Sequence, residues 1–593
     1  MAKLYEGIYA VNGPPGTGKT TYLSKQIAEI VDRYGVREEG SPVLVSSLTK
    51  TAAAEVAGRD LPVPDNAVGT LHAHAYRVLG GPSIATGEVI VDWNRKYPRW
   101  ALSDTGGAKD GLDDTVESSS GDGPGDVIRS AYDLLRHRMV PDEQWRGDDV
   151  ATIPFEGSTL GEISSFAEAW EEWKTSTDTH DFTDLISAAR GEDPPLDPDV
   201  LIVDEVQDLS ALEWDLVTRW RGERRALIVV GDPWQSLYEW RGAHPKLFDD
   251  PRITPDRYKT LSRSYRVPAA IVSTALEWMK GKSNVDREVL YHARQNAEGS
   301  EVEGEISFRP EITPAACDEL VSMIEERYGE GKTAMIAATC SYMLGRVIAR
   351  LRDRGIPFAN PWRTKRGDWN PIPTRGNSAA SRLAAFLSPA RTGSLWTWSE
   401  VDLWLDKLAS KGTLSRGAKT SVADKAKRMP DDRPTSIELS AMVVDSSLWA
   451  MVEQIRGRGV TPETVSIAGG WLRARLGDKD RNALSWDYGS RVLASRGMDG
   501  IRKPARVYVG TVHSFKGAEA DDVYLFSEIP IRSLASISSG SAAEMNSVAR
   551  TFYVGMTRAR ERCIVLGTSC IRDRSSGRMG QRIRSAAMAA GRA

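Results

Sequence analysis

Nine consecutive residues near the start of the chain, GPPGTGKTT at positions 13–21, combine glycines with a lysine and hydroxyl groups. They follow an apolar strand pattern at residues 8–12 and precede a helical pattern that continues through Ile27 and Ile30. In this context glycines let backbone amides face phosphate oxygens, and the N-terminus of the helix adds a favourable dipole. Lys19 would reach the β- and γ-phosphates, and the Thr20 hydroxyl would bind Mg²⁺. The sequence therefore predicts a nucleotide site formed by Gly13, Pro14, Pro15, Gly16, Thr17, Gly18, Lys19, Thr20 and Thr21.

A second pattern, LIVDEVQD at residues 201–208, is an apolar strand that ends in acids. The carboxyl ends of parallel strands form the edge of an open sheet at which ligands bind. Asp204 is expected to hold Mg²⁺, and Glu205 to orient or deprotonate the attacking water. Alone, the pattern could be an acidic strand end before a turn. Beside the glycine-rich loop, the Asp–Glu pair favours nucleotide hydrolysis.

A third strand pattern, at residues 226–231, leads into the aromatic loop DPWQSLYEWRGA. Gln235 stands at the strand end, where it could sense the γ-phosphate. Tyr238, Trp240 and Arg241 offer stacking faces and a cation, the combination that binds single-stranded nucleic acid without reading its sequence. For Trp240 taken alone, packing in the protein core is the simpler interpretation.

Six patterns in chain order resemble those of the UvrD/Rep-like superfamily 1 DNA helicases: GPPGTGKT, LIVDEVQD, GDPWQSLYEWRGA, LSRSYR, GTVHSFKGAEADDV and FYVGMTRAR. They extend from residue 13 to residue 560, although the segments between them match weakly. Six ordered matches are far more specific than any one loop. The resemblance implies an ATPase that uses Mg²⁺, moves along single-stranded DNA from 3′ to 5′ and separates duplex DNA.

The same resemblance assigns roles to residues late in the chain. Arg266 in LSRSYR and Arg558 in GMTRAR resemble two arginine fingers, which neutralise charge on the γ-phosphate in the transition state. Taken singly, each arginine is better explained by a surface salt bridge, because 77 residues of the chain are basic. Glu519 resembles the residue that contacts the ribose. The predicted catalytic residues are Glu205, Gln235, Arg266 and Arg558.

The resemblance also implies DNA contacts. The predicted DNA-binding residues are Thr49, Thr70, His72, Tyr238, Trp240, Arg241, Thr511, His513 and Lys516. His72 and His513 could instead be structural, as lone histidines usually are. The chain departs from the family pattern at Leu48, where a DNA-stacking Phe is typical. It also has no glutamine among the residues before Gly13, where the family reads adenine.

The spacing of these patterns predicts the elements that position them. The fold class is α/β, with two RecA-like P-loop NTPase cores of parallel sheets flanked by helices, each carrying an inserted, mainly helical subdomain. The interval between His72 and Asp204 is far longer than a connection between neighbouring strands needs, which predicts the first insertion. The predicted division is residues 1–80 and 179–265 (first core), 81–178 (first insertion), 266–365 and 501–570 (second core), 366–500 (second insertion) and 571–593 (basic tail).

Composition excludes several classes of protein. The 593 residues are 41% hydrophobic and 27% charged, which is ordinary for a globular protein. No apolar run approaches the roughly 18 residues of a transmembrane helix, so no membrane partner is expected. The N-terminal segment has no cleavable signal pattern, and the four cysteines form no CxxC pair that would suggest a zinc site or a disulfide framework. We therefore expect a cytoplasmic protein.

The formal net charge of −4 means that any DNA contacts must be concentrated in a channel, since proteins that bind DNA over a broad surface are usually basic. The basic stretch 411–428 could touch duplex DNA or form a solvated face. We predict an ATP-dependent helicase that binds single-stranded DNA and single/double-strand junctions, with replication or repair proteins as candidate partners. One alternative is a translocase that strips proteins from DNA without processive unwinding. The other is a binding subunit without hydrolysis, which the presence of Lys19 and Glu205 disfavours.

Overall fold

In the computed structural model the chain divides into two compact units, each built around one six-stranded β-sheet. The first unit comprises Met1–Glu305, Ala535–Thr557 and Ala586–Arg592; the second comprises Ile306–Leu534, Arg558–Ser585 and Ala593. The structure describes residues 6–47, 61–103, 125–141, 159–243, 247–248, 250–282, 289–309, 314–364, 366–372, 378–477, 484–567 and 577–589.

The strands of the first sheet are β1 (Ile8–Asn12), β2 (Val43–Ser47), β3 (Val68–Thr70), β4 (Val200–Val203), β5 (Ala226–Gly231) and β6 (Tyr258–Thr260). Their order is β3-β2-β4-β5-β1-β6, and all the pairs are parallel. The central strands β4 and β5 are buried along their whole length, which explains their continuous Val, Ile and Leu sequences. The strands predicted at residues 8–12, 201–204 and 226–231 are confirmed. The loops after β1, β4 and β5 therefore leave the same edge of the sheet.

Helices cover this sheet and also form a separate cluster between β3 and β4. The helix after β1 buries Leu23, Ile27 and Ile30, which recur on one helical face and pack against the sheet. The cluster between β3 and β4 has its own aromatic core, in which Trp93 contacts Trp170 and Trp173. The α-helices of the first unit are Lys19–Tyr34, Leu71–Val78, Glu88–Lys96, Asp126–His137, Leu160–Thr177, Phe182–Ala189, Ala211–Arg221, Ala269–Met279 and Ala542–Met556.

The strands of the second sheet are β7 (Glu305–Arg309), β8 (Ala334–Ala338), β9 (Phe358–Ala359), β10 (Val507–Thr511), β11 (Ala520–Phe526) and β12 (Ala559–Leu566). Their order is β7-β12-β11-β8-β10-β9, and the pairs with a defined register are parallel. The two sheets confirm the α/β class and are consistent with two RecA-like cores.

A second helical cluster lies between β9 and β10 in the chain. Its core is built on Phe386, Trp396, Trp404 and Trp471, whose rings contact one another.

The remaining α-helices are Pro314–Gly329, Gly345–Asp353, Ala379–Phe386, Ser388–Thr392, Trp398–Leu405, Ala418–Arg428, Ser436–Met442, Ser447–Ile455, Pro462–Ala474, Leu484–Arg496, Asp499–Arg502, Ile531–Ser538 and Gly577–Ala589. Among the helices that the structure describes, none has the length and apolar composition needed to cross a membrane.

The division into units differs from the predicted one in two segments. Residues 266–305 lie in the first unit, whereas the sequence placed them in the second core. The helix Ala542–Met556, predicted in the second core, also lies in the first unit. The physical reason is a shared contact, because the indole of Trp278 donates to the Ala549 carbonyl at 2.9 Å and packs edge-on against Phe552.

Candidate functional site

The glycine-rich loop after β1 has the geometry of a phosphate-binding loop. Gly16 and Gly18 adopt left-handed backbone angles (φ 74° and 80°), which glycine tolerates at no steric cost, and the helix begins at Lys19. The Lys19 ammonium donates to the Gly13 carbonyl at 2.7 Å, and the Thr17 hydroxyl donates to the Pro14 carbonyl at 2.8 Å. The loop therefore presents backbone amides, a cation and the Thr20 and Thr21 hydroxyl groups at one helix N-terminus.

Residues 264–266 and Tyr291 contact this loop from outside. The Ser264 hydroxyl and the Tyr291 phenol both donate to the Pro15 carbonyl, at 3.0 and 2.9 Å. The Tyr265 amide donates to the Gly16 carbonyl at 2.7 Å. A side-chain carbon added to Gly16 would lie only 2.5 Å from the Cβ of Arg266. The predicted arginine finger Arg266 is thus adjacent to the phosphate-binding loop.

The two acids after β4 lie at the same edge of the sheet. Asp204 is buried, and its amide donates to the Ser46 carbonyl at 2.9 Å. Glu205 has a left-handed backbone (φ 55°), which is uncommon for a residue with a side chain. Gln207, which the sequence analysis did not single out, donates to Glu205 at 2.5 Å and accepts from the Asp232 amide at 3.0 Å. Gln207 therefore links the ends of β4 and β5.

Asp232 extends this network to the predicted sensor residue. Its carboxylate accepts from the Gln235 side chain at 2.8 Å and from the Tyr553 phenol at 3.4 Å. Burial raises the pKa of Asp232, and the positive charge of Lys19 opposes that rise. Lys19 of the phosphate loop is thus close enough for its charge to act on Asp232.

The ends of β1, β4 and β5 form the nucleotide edge of the first sheet, and the residues there fit a nucleoside triphosphate with Mg²⁺. A lysine, a threonine hydroxyl and a buried carboxylate form the donor set that phosphate and Mg²⁺ require. Two buried polar atoms at the same strand ends, Asn12 Oδ1 and Ser47 Oγ, have no hydrogen-bond partner among the described residues. Unpaired buried polar atoms are costly in a folded protein, so their presence favours a polar ligand at this edge.

In the aromatic loop after β5, Tyr238 and Trp240 differ in burial, although the sequence analysis predicted the same stacking role for both. Trp240 is 40% exposed, whereas Tyr238 is only 2% exposed and packs in the core of the first unit. The rings meet edge-on, with centroids 6.4 Å apart. The buried position of Tyr238 does not support the stacking role predicted for it, because a core ring has no free face. Trp240 retains an accessible face.

Three other residues predicted to bind DNA support the structure around this loop. The Thr70 hydroxyl accepts from the Ala73 amide at 3.2 Å and caps the helix Leu71–Val78. His72 is buried, and burial lowers its pKa to about 3. Arg241 donates to the buried carboxylate of Glu213 at 3.2 Å.

Glu213 is charged although it is buried. Burial alone would raise its pKa, but Arg241, His137 and His72 lower it to about 2. Glu213 also accepts from the Ser210 amide at 2.8 Å and so caps its own helix. Glu213 therefore interacts with His72 of the helix Leu71–Val78, with His137 of the first helical cluster and with Arg241 of the aromatic loop.

The remaining predicted residues lie in the second unit. Thr511 ends β10, and its hydroxyl accepts from the Ser514 amide at 3.3 Å; His513 and Lys516 follow in the next turn. Glu519 pairs with Arg560 at 3.2 Å on a half-exposed surface. Arg558 is buried, with its guanidinium 3.4 Å from the Ala518 carbonyl. Thr49 and Leu48 lie outside the described residues.

The structure also identifies residues that the sequence analysis missed. Asn360 donates from its side chain to the Val509 carbonyl and to the Ser514 hydroxyl, each at 3.1 Å, and so supports the Thr511–Lys516 segment. Tyr265 is 72% exposed, with ring carbons 3.6 and 3.7 Å from the position of a Cβ on Gly18. Tyr265 and Gln207 lie within patterns already recognised, so those patterns could have suggested them. Nothing in the sequence near Asn360 could have done so.

Two family models match the chain. The model of the UvrD/REP helicase N-terminal domain matches residues 1–252, and that of the UvrD-like helicase C-terminal domain matches residues 506–566. Together they cover more than half of the 593 residues. The first match contains the phosphate loop, the acidic pair and the aromatic loop, and the second contains the candidate residues of the second unit.

Several proteins resemble this chain at low identity. The putative ATP-dependent DNA helicase YjcD of Bacillus subtilis is 25% identical over 60% of this chain and 47% of its own length. A probable DNA helicase of Mycoplasma pneumoniae is 24% identical over 48% of this chain and 55% of its own. The ATP-dependent DNA helicase UvrD2 of Mycobacterium tuberculosis is 28% identical over 46% of this chain and 42% of its own length. The chain thus spans about half the length of these relatives, and it belongs to the UvrD/Rep helicase family as a distant member.

Proposed function

We propose that this protein is an ATP-dependent DNA helicase that moves along single-stranded DNA from 3′ to 5′ and separates duplex DNA. The observation that carries the proposal is one sheet edge in the first unit. There Gln207 and Asp232 link Glu205 to Gln235, and Lys19 acts on Asp232. The loop that leaves this edge after β5 carries the exposed ring of Trp240. The loop after β5 thus connects the proposed ATP site to the proposed DNA contact, which supports the proposal.

In the proposed reaction the residues of this edge have separate tasks. Lys19 and the amides of the loop bind the phosphates, and Thr20 and Asp204 would hold Mg²⁺, which neutralises phosphate charge. Glu205 orients water and accepts its proton, with Gln207 fixing the carboxylate at 2.5 Å. Arg266 stabilises the charge that develops on the γ-phosphate. The exposed ring of Tyr265 beside Gly18 offers a stacking face for the base.

The roles of the other candidates belong to the same proposal and rest on the family patterns. Arg558 acts as a second arginine finger and Glu519 contacts the ribose. Thr511, His513 and Lys516 contact DNA, as does the single-strand platform Trp240. The proposed partners are single-stranded DNA and single/double-strand junctions, together with replication or repair proteins, in a cytoplasmic location.

The test is unwinding of short labelled duplexes that carry a single-stranded tail at either the 3′ or the 5′ end. We expect ATP-dependent strand separation with the 3′ tail and little with the 5′ tail. The matched control is Lys19→Ala, which should abolish unwinding because the β- and γ-phosphates lose their cation. Opening of 5′-tailed duplexes alone would reverse the proposed polarity.

A translocase that only strips proteins from DNA is separated by one further measurement. In that case ATP would drive displacement of streptavidin from biotinylated single strands, while neither tailed duplex opens. A chain that shows no ATP hydrolysis with single-stranded DNA would contradict both functions.

A further inference from the structure

The exposed ring of Trp240 lies between two charged neighbours that are both ion-paired. The three residues Glu239, Trp240 and Arg241 form one short 3-10 turn. The Arg241 amide donates to the Tyr238 carbonyl at 2.9 Å, and so does the Ala243 amide at 3.1 Å. The turn is therefore compact, with Trp240 as its middle residue.

Glu239 pairs with Arg550 of the helix Ala542–Met556. Arg550 is fully buried, and among the described residues its three guanidinium nitrogens have no hydrogen-bond partner. The contact with Glu239 is thus an ion pair without hydrogen-bond geometry. A buried cation is strongly destabilising without a counter-charge, so Arg550 holds the Glu239 carboxylate against the helix.

Arg241, on the other side of Trp240, pairs with Glu213 at 3.2 Å. Glu213 is buried at the start of the helix Ala211–Arg221, which follows the acidic pair of β4. Two ion pairs, each with one buried partner, therefore fix the residues before and after the exposed ring.

The helix that carries Arg550 also contacts the nucleotide edge. Tyr553 follows Arg550 by three residues, so the two side chains lie on neighbouring positions of one helical face. The Tyr553 phenol donates to Asp232 at 3.4 Å and its ring meets Trp234 edge-on, with centroids 5.4 Å apart. One helical turn thus touches both the Gln235 network and the Trp240 turn.

We propose that Arg550 is a positioning residue for single-strand binding: through Glu239 it fixes the backbone turn that presents Trp240 to the DNA bases. The inference rests on the proposed function, because it requires that Trp240 stacks on DNA. It adds a role for a residue that never touches DNA. Since a ring that is held in place loses less conformational freedom on stacking, removing Arg550 weakens DNA binding through Trp240.

The test is a double-mutant cycle between Arg550→Met and Trp240→Ala. Affinity for a fluorescein-labelled oligothymidine is measured by anisotropy on the full chain, per folded molecule as judged by thermal unfolding. We expect about tenfold weaker binding for Arg550→Met. The double variant should bind within about twofold of Trp240→Ala, because the lost ring leaves Arg550 nothing to position.

The control is Arg225→Met, which removes another arginine from the first unit. Arg225 is 4% exposed, pairs with the exposed Asp197 at 2.8 Å and precedes β5, so it stands at the opposite end of that strand from the aromatic loop. It should lower the melting temperature and leave DNA affinity unchanged. If Arg550→Met does not fold, the double variant Glu239→Gln/Arg550→Met takes its place in the cycle. This variant removes both charges of the ion pair, so neither is left without a partner.

The outcomes separate the inference from the proposed function. If the effects of Arg550→Met and Trp240→Ala multiply in the double variant, or if Arg550→Met lowers only the melting temperature, Arg550 is merely structural and the inference is wrong. If the unsubstituted chain fails to bind the oligothymidine, the proposed function fails and the inference with it. Coupled effects of Arg550→Met and Trp240→Ala, with DNA affinity unchanged in the Arg225→Met control, support the inference.

Discussion

The nucleotide edge and the aromatic loop meet at the end of β5, yet their characteristic residues are held in different ways. At the nucleotide edge Gln207 donates to Glu205 and Asp232 accepts from Gln235, so side-chain hydrogen bonds hold two of the predicted catalytic residues. In the aromatic loop, Tyr238 and Arg241 are tied into the protein, and only Trp240 offers an exposed ring. The comparison teaches that a family pattern can mark either contact residues or the residues that position a single contact.

The largest expected effect is at the nucleotide edge, where the catalytic role of Glu205 can be tested. If Glu205 acts on the attacking water, Glu205→Gln should keep ATP and DNA binding but lower ATP turnover by roughly 100-fold or more. DNA-stimulated ATP hydrolysis and nucleotide binding are measured on the same preparation. Turnover close to that of the unsubstituted chain would remove Glu205 from the catalytic residues.

The aromatic loop provides a matched pair of substitutions. Trp240→Ala should weaken single-strand binding by 1–3 kcal/mol, or roughly 5- to 150-fold, with little change in melting temperature, because its ring is partly exposed. Tyr238→Ala should do the reverse, since deleting a buried aromatic ring costs about 3–5 kcal/mol of stability. Affinity per folded molecule and melting temperature are compared for both. A loss of affinity with Tyr238→Ala at unchanged stability would show that both rings contact DNA.

The stability of the protein at acidic pH tests the buried state of His72 and Glu213. The pKa of His72 is about 3 in the folded chain and near 6.5 when unfolded, so only the unfolded state gains a proton between these values. Stability contributed by neutral His72 is therefore present above pH 6.5 and falls as the pH drops towards 3. Between pH 7 and pH 5 the loss is about 2 kcal/mol. Glu213, with its pKa lowered to about 2, adds a loss in the same direction below about pH 4.5.

His72→Gln should accordingly show a smaller drop in melting temperature from pH 7 to pH 5 than the unsubstituted chain. His137 is retained in both proteins, so its own lowered pKa affects them equally. Equal drops would mean that His72 takes up protons in the folded chain, as an exposed DNA-contacting histidine would.

The smallest effect concerns the nucleotide base. The exposed Tyr265 ring beside Gly18 offers stacking, which differs little between bases. We expect kcat/KM for DNA-stimulated hydrolysis of GTP or dATP within about tenfold of that for ATP, a difference of at most about 1.4 kcal/mol. A preference for ATP above a hundredfold would show that hydrogen-bonding groups read the base, and Leu4–Asn12 would be the first segment to examine.

Local patterns explain which features could be predicted from the sequence. The loop at residues 13–21 and the acids after β4 are short, contiguous stretches with one physical interpretation, and the structure has the predicted strands beside them. The orientation of Tyr238 and Trp240 could not be predicted, because two aromatic residues two positions apart in a 3-10 turn give no sign of which one faces the core. Gln207 acquires its role only through contact with Asp232, from another strand.

The grouping of residues 266–305 with the helix Ala542–Met556 has the same kind of cause. The contact between Trp278 and Ala549 joins residues 271 positions apart, and no local pattern indicates it. The two helical clusters, by contrast, were predictable as insertions, because the intervals that contain them are too long for simple connections.

The helix Ala542–Met556 has a consequence for biosynthesis. It belongs to the first unit, yet it is translated more than 200 residues after that unit's main segment ends at Glu305. At elongation rates of about 5–20 residues per second, the delay is about 10–50 s. During that interval the surfaces of Trp234 and Trp278 that later pack on this helix are exposed on the nascent chain. A truncated protein that stops at Glu305 should therefore aggregate or recruit chaperones, and the helix supplied as a separate peptide should restore its solubility.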